Sequence, residues 1–195
     1  MRVVPLHRVE GTPNEMSDEA LVAACATGEL AALGALYDRH ATGVRRFLAR
    51  LSGTDDRDLD DLVQTTFEAV LRAAGNFDGL SAVRTWLIGI ANNTARHHVR
   101  SEIRRRRLTE ATRSNLGVSS SDPTDDMLSR ERAAALRDAI SALPPKLRET
   151  FVMVYLEGLS GVEVARLLGV REGSIWKRLH EARALLRGQL EGARS

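Results

Sequence analysis

Aromatic residues make up only 4% of the sequence, so a core has to be built from Leu, Val, Ile and Ala, which the 43% apolar fraction supplies. There is a single cysteine, Cys25. That excludes an internal disulfide framework and a four-cysteine zinc site, and a lone cysteine on an apolar helix face reads as a small buried hydrophobe. Long hydrophobic runs are missing as well. No stretch approaches the roughly 18 residues that span a bilayer. The first 15 residues carry Arg2, Pro5, Arg8 and Pro13 where a signal peptide needs an apolar core. These absences point to a cytoplasmic chain. Lysine is almost absent too: of 28 basic residues only Lys146 and Lys177 are not Arg. A formal net charge of +2 says little about partners, so the distribution of charge has to decide.

That distribution is blocky. Residues 54–61 (TDDRDLDD) hold five Asp against Arg57, whereas residues 96–107 (RHHVRSEIRRRR) hold six Arg against Glu102. Residues 109–131 are acidic again, and residues 171–187 return to a net +3. Blocks of opposite sign cancel in the sum but not in space. A basic block attracts phosphate, and an acidic block attracts a basic protein surface. The bland alternative is that each block is a solvated helix face.

Apolar spacing predicts helices throughout, with no period-two strand pattern. Ser17 is expected to cap a first helix that Gly28 ends. A second runs from Glu29 to Leu51, with Leu30, Leu33, Leu36, Tyr37, Val44, Phe47, Leu48 and Leu51 on its buried side. A third, capped by Asp55 or Asp56, carries Leu59, Leu62, Val63, Phe67, Val70 and Leu71. After the loop NFDGL (76–80), Ser81 is expected to cap a fourth, with Val83, Trp86, Leu87, Ile90 and Ala91 inward. Residues 109–125 are polar and read as a flexible linker. One more helix covers about 126–141, and another restarts at Pro144 or Pro145 with Leu147, Phe151, Val152, Val154, Tyr155 and Leu156 as its apolar side. The fold class expected is all-α: a disordered tail (1–16) and two small helical modules (17–108 and 126–195) joined by the flexible linker.

The most informative stretch is SGVEVARLLGVREGSIWKRLH (160–180). Two helices crossing through a tight turn need a small side chain at the contact, supplied by Ala165. They need a residue tolerant of positive φ at the bend, supplied by Gly169. They also need an apolar side chain pointing back from the second helix, supplied by Ile175. Together these predict a helix-turn-helix, whose second helix enters the major groove of DNA. Its outward residues are read as Ser174, Lys177, Arg178 and Glu181, with Arg171 at its start.

Residues 142–188 resemble region four of a bacterial sigma factor of the extracytoplasmic-function (ECF) group of the sigma-70 family. DLVQTTFEAVLRA (61–73) and NFDGLSAVRTWLIGIANNTARHHVR (76–100) are similar to region two. The resemblance implies an alternative sigma factor, not an enzyme, that directs core RNA polymerase to promoters with −35 and −10 elements. It implies that Asp61, Gln64 and Thr65 meet the β′ clamp coiled coil, while the polymerase β flap is a further partner. It implies that Asn76, Phe77, Asp78 and Ser81 capture a flipped base of the −10 element, a step that costs a few kcal/mol of lost stacking. Asn92, Arg96, Arg100 and Arg104 would contact DNA beside it, and the arginines would grip phosphates, which positions the protein without reading sequence. Arg171, Ser174, Trp176, Lys177, Arg178 and Glu181 would meet the −35 element. An anti-sigma factor is implied as a partner. No cofactor, metal or direct membrane insertion is expected: His97 and His98 are adjacent on a helix and do not face one site.

Two other classes compete. A DNA-binding regulator acting without polymerase would not need the first module. A nuclease or recombinase would need a nucleophile or His near clustered carboxylates, which the acids at 55–61 lack.

Overall fold

The computed structural model describes residues 15–52, 56–109 and 127–192. They form eight α-helices: α1 (Asp18–Ala26), α2 (Leu30–Ser52), α3 (Asp56–Ala73), α4 (Val83–Thr109), α5 (Met127–Ser141), α6 (Pro145–Phe151), α7 (Gly161–Leu168) and α8 (Glu172–Gly192). No strand occurs among the described residues, and the all-α expectation holds. Residues 1–14 of the expected tail, Asp55, and residues 110–125 of the expected linker lie outside the described residues.

Most helix boundaries follow from local chemistry. The Ser17 hydroxyl accepts from the Ala20 N–H at 3.2 Å and caps α1. Pro145 opens α6 at a position where its missing N–H costs no bond. Ser160 and Glu163 form a reciprocal capping box at the start of α7. Gly169 ends that helix at φ 64°, a conformation that side chains with a Cβ rarely adopt. One expected cap does not form. Helix α4 begins at Val83, after Ala82, so Ser81 stands one position too early to be its capping residue.

The core is the aliphatic one that the shortage of aromatics requires. Leu21, Leu36, Phe47, Leu48, Val70, Leu87, Met153, Ile175 and Leu179 are fully buried, and Cys25 is buried among them. Three sequence expectations need correction. Tyr37 is exposed, because its ring lies on the outside of Phe67 and not beneath it. Leu30 is 69% exposed because it opens α2, before that helix packs. Tyr155 and Leu156 are also exposed, and Val152 and Met153 take the buried side. The cause is a π-helical turn, Val152–Leu156, in which the Glu157 N–H donates to the Val152 carbonyl at 3.0 Å. The wider turn shifts the helical register at the end of α6.

The two groups of helices, α1–α4 and α5–α8, pack against each other. From the π turn, Glu157 sets its carboxylate against two arginines, Arg50 of α2 at 2.8 Å and Arg84 of α4 at 2.6 Å. Arg148 of α6 donates to the Leu51 carbonyl at 2.8 Å and to the Leu143 carbonyl at 3.1 Å. The Thr85 hydroxyl of α4 donates to Glu163 at 3.2 Å, and Arg166 of α7 donates to the Leu80 carbonyl at 3.2 Å. The second group therefore sits on the side of α4 and the C-terminal end of α2.

Two outcomes are expected. Ile175→Ala should lower stability by about 2–5 kcal/mol in denaturant titration, because the side chain is fully buried at the α7–α8 crossing; an unchanged midpoint would remove Ile175 from the core. Glu163 accepts from the Ser160 backbone N–H at 2.9 Å and from its hydroxyl at 2.7 Å, and these bonds hold its carboxyl below the ordinary value. A lowered folded pKa contributes stability that is present above the unfolded value, about 4.3, and is lost as pH falls through the folded value. The stability gap between the wild type and Glu163→Gln should thus be constant from neutral pH to about 5 and close in more acidic solution.

Candidate nucleic-acid interface

The helix-turn-helix forms as its spacing demands. Gly169 turns the chain, with the Val170 N–H donating to the Ala165 carbonyl at 3.0 Å. Ala165 is buried at the crossing, and Ile175, Leu179, Ala182 and Leu186 give α8 its inward stripe. The opposite side of α8 presents Gly173, Lys177, His180 and Ala184 to solvent, flanked by Glu181 and by Arg171 before the helix. His180 is therefore on the same face as Lys177. Its position three residues after Lys177 was the signal for it, and the outward residues read from sequence omitted it. Ser174 is half-buried beside this face.

Arg178 does not face outward. Only 19% of its side chain is exposed, its Nη1 lies 3.6 Å from a Glu149 carboxylate oxygen, and it also reaches the Thr150 hydroxyl at 3.5 Å. A single step along a helix turns a side chain by about 100°, enough to move it from the solvent face to the neighbouring helix. Trp176 is half exposed. Its indole N–H donates to Glu172 at 3.2 Å, and its ring lies over Gly161, where an added Cβ would come within 3.1 Å of Cζ2. With that donor committed, Trp176 can offer a neighbour only its apolar ring.

On the first group of helices, α3 divides cleanly. Leu62, Val63, Thr66 and Phe67 are buried, while Asp61, Gln64, Thr65 and Glu68 form an exposed polar strip. Gln64 reaches Glu68 at 3.4 Å, and Thr65 donates back to the Asp61 carbonyl at 2.8 Å. The strip carries two carboxylates and no base. Tyr37 of α2 stacks on Phe67 beneath it, ring centroids 4.9 Å apart.

The loop after α3 exposes Asn76 and Asp78 and half-buries Phe77 and Ser81. Asp78 accepts from the Leu80 N–H at 3.0 Å, and Gly79 turns at φ 68°, leaving Leu80 71% exposed. Phe77 rests on Trp86 at 5.1 Å, so Trp86 is a partly buried support of the loop.

Along α4, Asn93, His97 and Arg100 are exposed and Arg96 is half-buried. Arg104 belongs to the same helix, and its side chain lies outside the described residues. Asn92 is the correction here: it is 1% exposed, and its Oδ1 has no hydrogen-bond partner. It lines a cavity of about 260 Å³ between α2, α4 and α6, together with Leu51, Ala95, Val99 and Pro145. Arg96 turns to the same place, 3.7 Å from Glu149. Burial pushes the Glu149 carboxyl up, and the charges of Arg96 and Arg178 only partly offset it. Glu149 was absent from the sequence reading, although it falls three and four residues before Val152 and Met153 on the buried stripe, which marks it as a buried acid. Among the described residues, no group of three or more His, Cys, Asp or Glu is placed to hold a metal ion, and no helix is long and apolar enough to cross a membrane.

Comparison with known proteins agrees with this layout. The Sigma-70 region 2 family model matches residues 36–106, and the Sigma-70 region 4 model matches residues 133–186. The chain is 29% identical to the ECF RNA polymerase sigma-E factor of Haemophilus influenzae, over 91% of this chain and 97% of that protein. It is 33% identical to the ECF RNA polymerase sigma factor SigM of Mycobacterium tuberculosis (90% and 86%) and 35% identical to SigE of Mycolicibacterium smegmatis (90% and 70%). Among solved structures, CnrH in complex with the cytosolic domain of CnrY matches with a TM-score of 0.63 and 28% identity, over 90% of this chain and 97% of that one. The sigma factor RpoE of Bartonella quintana, with a TM-score of 0.65 and 21% identity over 80% and 94%, shares the fold. With region 2 on α2–α4, region 4 on α5–α8 and relatives of this kind along nine-tenths of its length, the chain belongs to the sigma-70 family, as an alternative sigma factor of the ECF group that directs promoter-specific transcription.

Proposed function

We propose that this sigma factor divides promoter recognition between residues 17–108, which dock on polymerase and bind the −10 element, and residues 126–195, which bind the −35 element. The observation that supports this most is the pairing of two surfaces on one chain. One is a helix-turn-helix with a free basic face, and the other is an exposed acidic strip on α3 above a buried apolar stripe. A strip with acids and no base suits a basic coiled coil such as the β′ clamp, since complementary charge speeds encounter and sets register. Asp61, Gln64 and Thr65 are its contacts. The second module meets the β flap.

At the −10 element, Asn76, Phe77, Asp78 and Ser81 form the base-capturing loop, and Phe77, already seated on Trp86, supplies a fixed ring for stacking. Arg96, Arg100 and Arg104 hold phosphates beside it. At the −35 element, Lys177 and Arg171 carry the charge, with Ser174, Trp176 and Glu181 around them. Trp176, with its N–H donor committed, offers apolar contact of the kind a thymine methyl accepts. The chain acts in the cytoplasm as a binding subunit and not as an enzyme. As CnrH is found with the cytosolic domain of CnrY, a protein inhibitor of the anti-sigma type is the partner that holds it in reserve.

The test is run-off transcription with purified core polymerase and a promoter library. Specific initiation that depends on this chain is expected; DNA retardation by the chain alone, without initiation by the holoenzyme, would overturn the reading. Lys177→Ala should weaken binding of the holoenzyme to −35 duplex by about 1–3 kcal/mol if it reads a base, and a phosphate contact would instead lower affinity evenly across sequences. Asp61→Arg should slow association with core polymerase and flatten its salt dependence, leaving the free chain's helices intact by circular dichroism.

A further inference from the structure

A buried polar atom without a partner is costly, and folded chains leave few of them. Three buried side-chain atoms among the described residues have none: Asn92 Oδ1, Arg148 Nε and His98 Nε2. Asn92 and Arg148 line the same cavity, the space of about 260 Å³ between α2, α4 and α6. Arg148 is also a cation with no answering acid. Its guanidinium donates to the carbonyls of Leu51, Ser141 and Leu143, and no carboxylate among the described residues pairs with it. Burial lowers its pKa, and no acid offsets the loss of water. The acid in the cavity wall, Glu149, is already placed between Arg96 and Arg178 and is supported by the Asn92 amide.

The remaining wall is apolar and is supplied by Leu51, Ala95, Val99 and Pro145, with Lys146 exposed beside them. Small-molecule sites are built in this way, largely apolar with a few placed polar groups. Water answers polar atoms but finds no partners on apolar walls. We propose that this cavity is a binding site for a small organic acid. Its carboxylate meets Arg148 and Lys146, a hydroxyl or N–H donates to Asn92 Oδ1, and a compact apolar body lies between them. Glu149, beside Asn92, disfavours a second carboxylate at that end. Volume limits the body: ligands of drug size fill about 300–1,000 Å³, so about 260 Å³ suits a single ring.

Arg148 is held in advance for such a ligand. Its Nη1 is used by the Leu51 carbonyl and its Nη2 by those of Ser141 and Leu143, so only Nε is left. A side chain pinned at its tip gives up little further freedom when a ligand arrives. The bond it offers is charge-assisted and about twice as strong as a neutral one. A loose group of surface arginines would take any anion. A fixed guanidinium and an orphaned amide oxygen in one apolar cavity select an anion that also carries a donor.

The probe is para-hydroxyphenylacetate, which carries a carboxylate and a phenolic donor on one ring. Calorimetric titration into the full chain should show saturable one-to-one binding. Phenylacetate lacks the donor and para-hydroxyphenylethanol lacks the acid. Each should bind about tenfold more weakly, because each leaves one buried polar atom unpaired. Val99→Phe, which fills the cavity, should abolish binding. Asn92→Leu, which removes the acceptor at similar size, should bind phenylacetate and para-hydroxyphenylacetate equally. No saturable binding of the probe at millimolar concentration overturns the site. So do equal affinities for the three compounds, inorganic phosphate binding as tightly as the probe, or a folded Val99→Phe variant that binds like wild type. Should either variant misfold, the series of compounds on the wild type decides alone. None of these readouts involves polymerase or a promoter, so the site stands or falls separately from the division of promoter recognition.

Discussion

The arrangement of the whole molecule depends on where two buried acids find their positive partners. A carboxylate withdrawn from water is costly unless it is paired and hydrogen-bonded. Glu157 meets that requirement with two arginines from α2 and α4 at 2.8 and 2.6 Å, whereas Glu149, 3.7 Å from one of α4 and 3.6 Å from one of α8, meets it only in part. Hydrophobic burial assembles each group of four helices, but the orientation of one group on the other is set by these directional contacts. The π turn at the end of α6 belongs to the same constraint, because it carries Glu157 out of the register of the apolar stripe and against Arg50 and Arg84.

A core nearly free of aromatics suits such a molecule. Leu, Val, Ile and Ala fill most of the interior on regular helical stripes, Phe47 and Phe67 are the buried rings, and most of the others lie nearer the surface. Phe77 and Trp86 support the loop, Tyr37 and Phe67 lie under the acidic strip, and Trp176 lies on the start of α7. The rings stiffen the surfaces proposed to meet partners. Charge is partitioned in the same manner. The nearly neutral sum conceals an acidic strip on α3 and basic faces on α4 and α8.

Local features were legible because local chemistry determines them. The Ser17 cap, the left-handed Gly169 and the buried Ile175 each follow from a few neighbouring residues. The alternation on α3, with Leu62 and Val63 inside and Asp61 and Gln64 outside, is of the same kind. Departures occur where a second body intervenes. Asn92 and Arg178 sit at positions that a lone helix would leave open to solvent, and both are covered or turned inward because α4 and α8 converge on Glu149. Tyr155 and Leu156 are exposed because a π turn, invisible to a 3.6-residue period, breaks the register.

By itself the sequence determined the all-α class, the order of the helices, the helix-turn-helix and the family, since periodicity, caps and motif spacing all act within a few residues of one another. Tertiary structure alone decided which of the candidate DNA-contacting side chains are free. Lys177 and His180 face solvent, whereas Arg96 and Asn92 are drawn into the contact between the modules and Arg178 is turned onto α6 within the second one. The reason is that an arginine's partner is chosen by distance in space. Glu149 is 53 residues from Arg96 along the chain and under 4 Å from it in the fold, a pairing that no local pattern encodes.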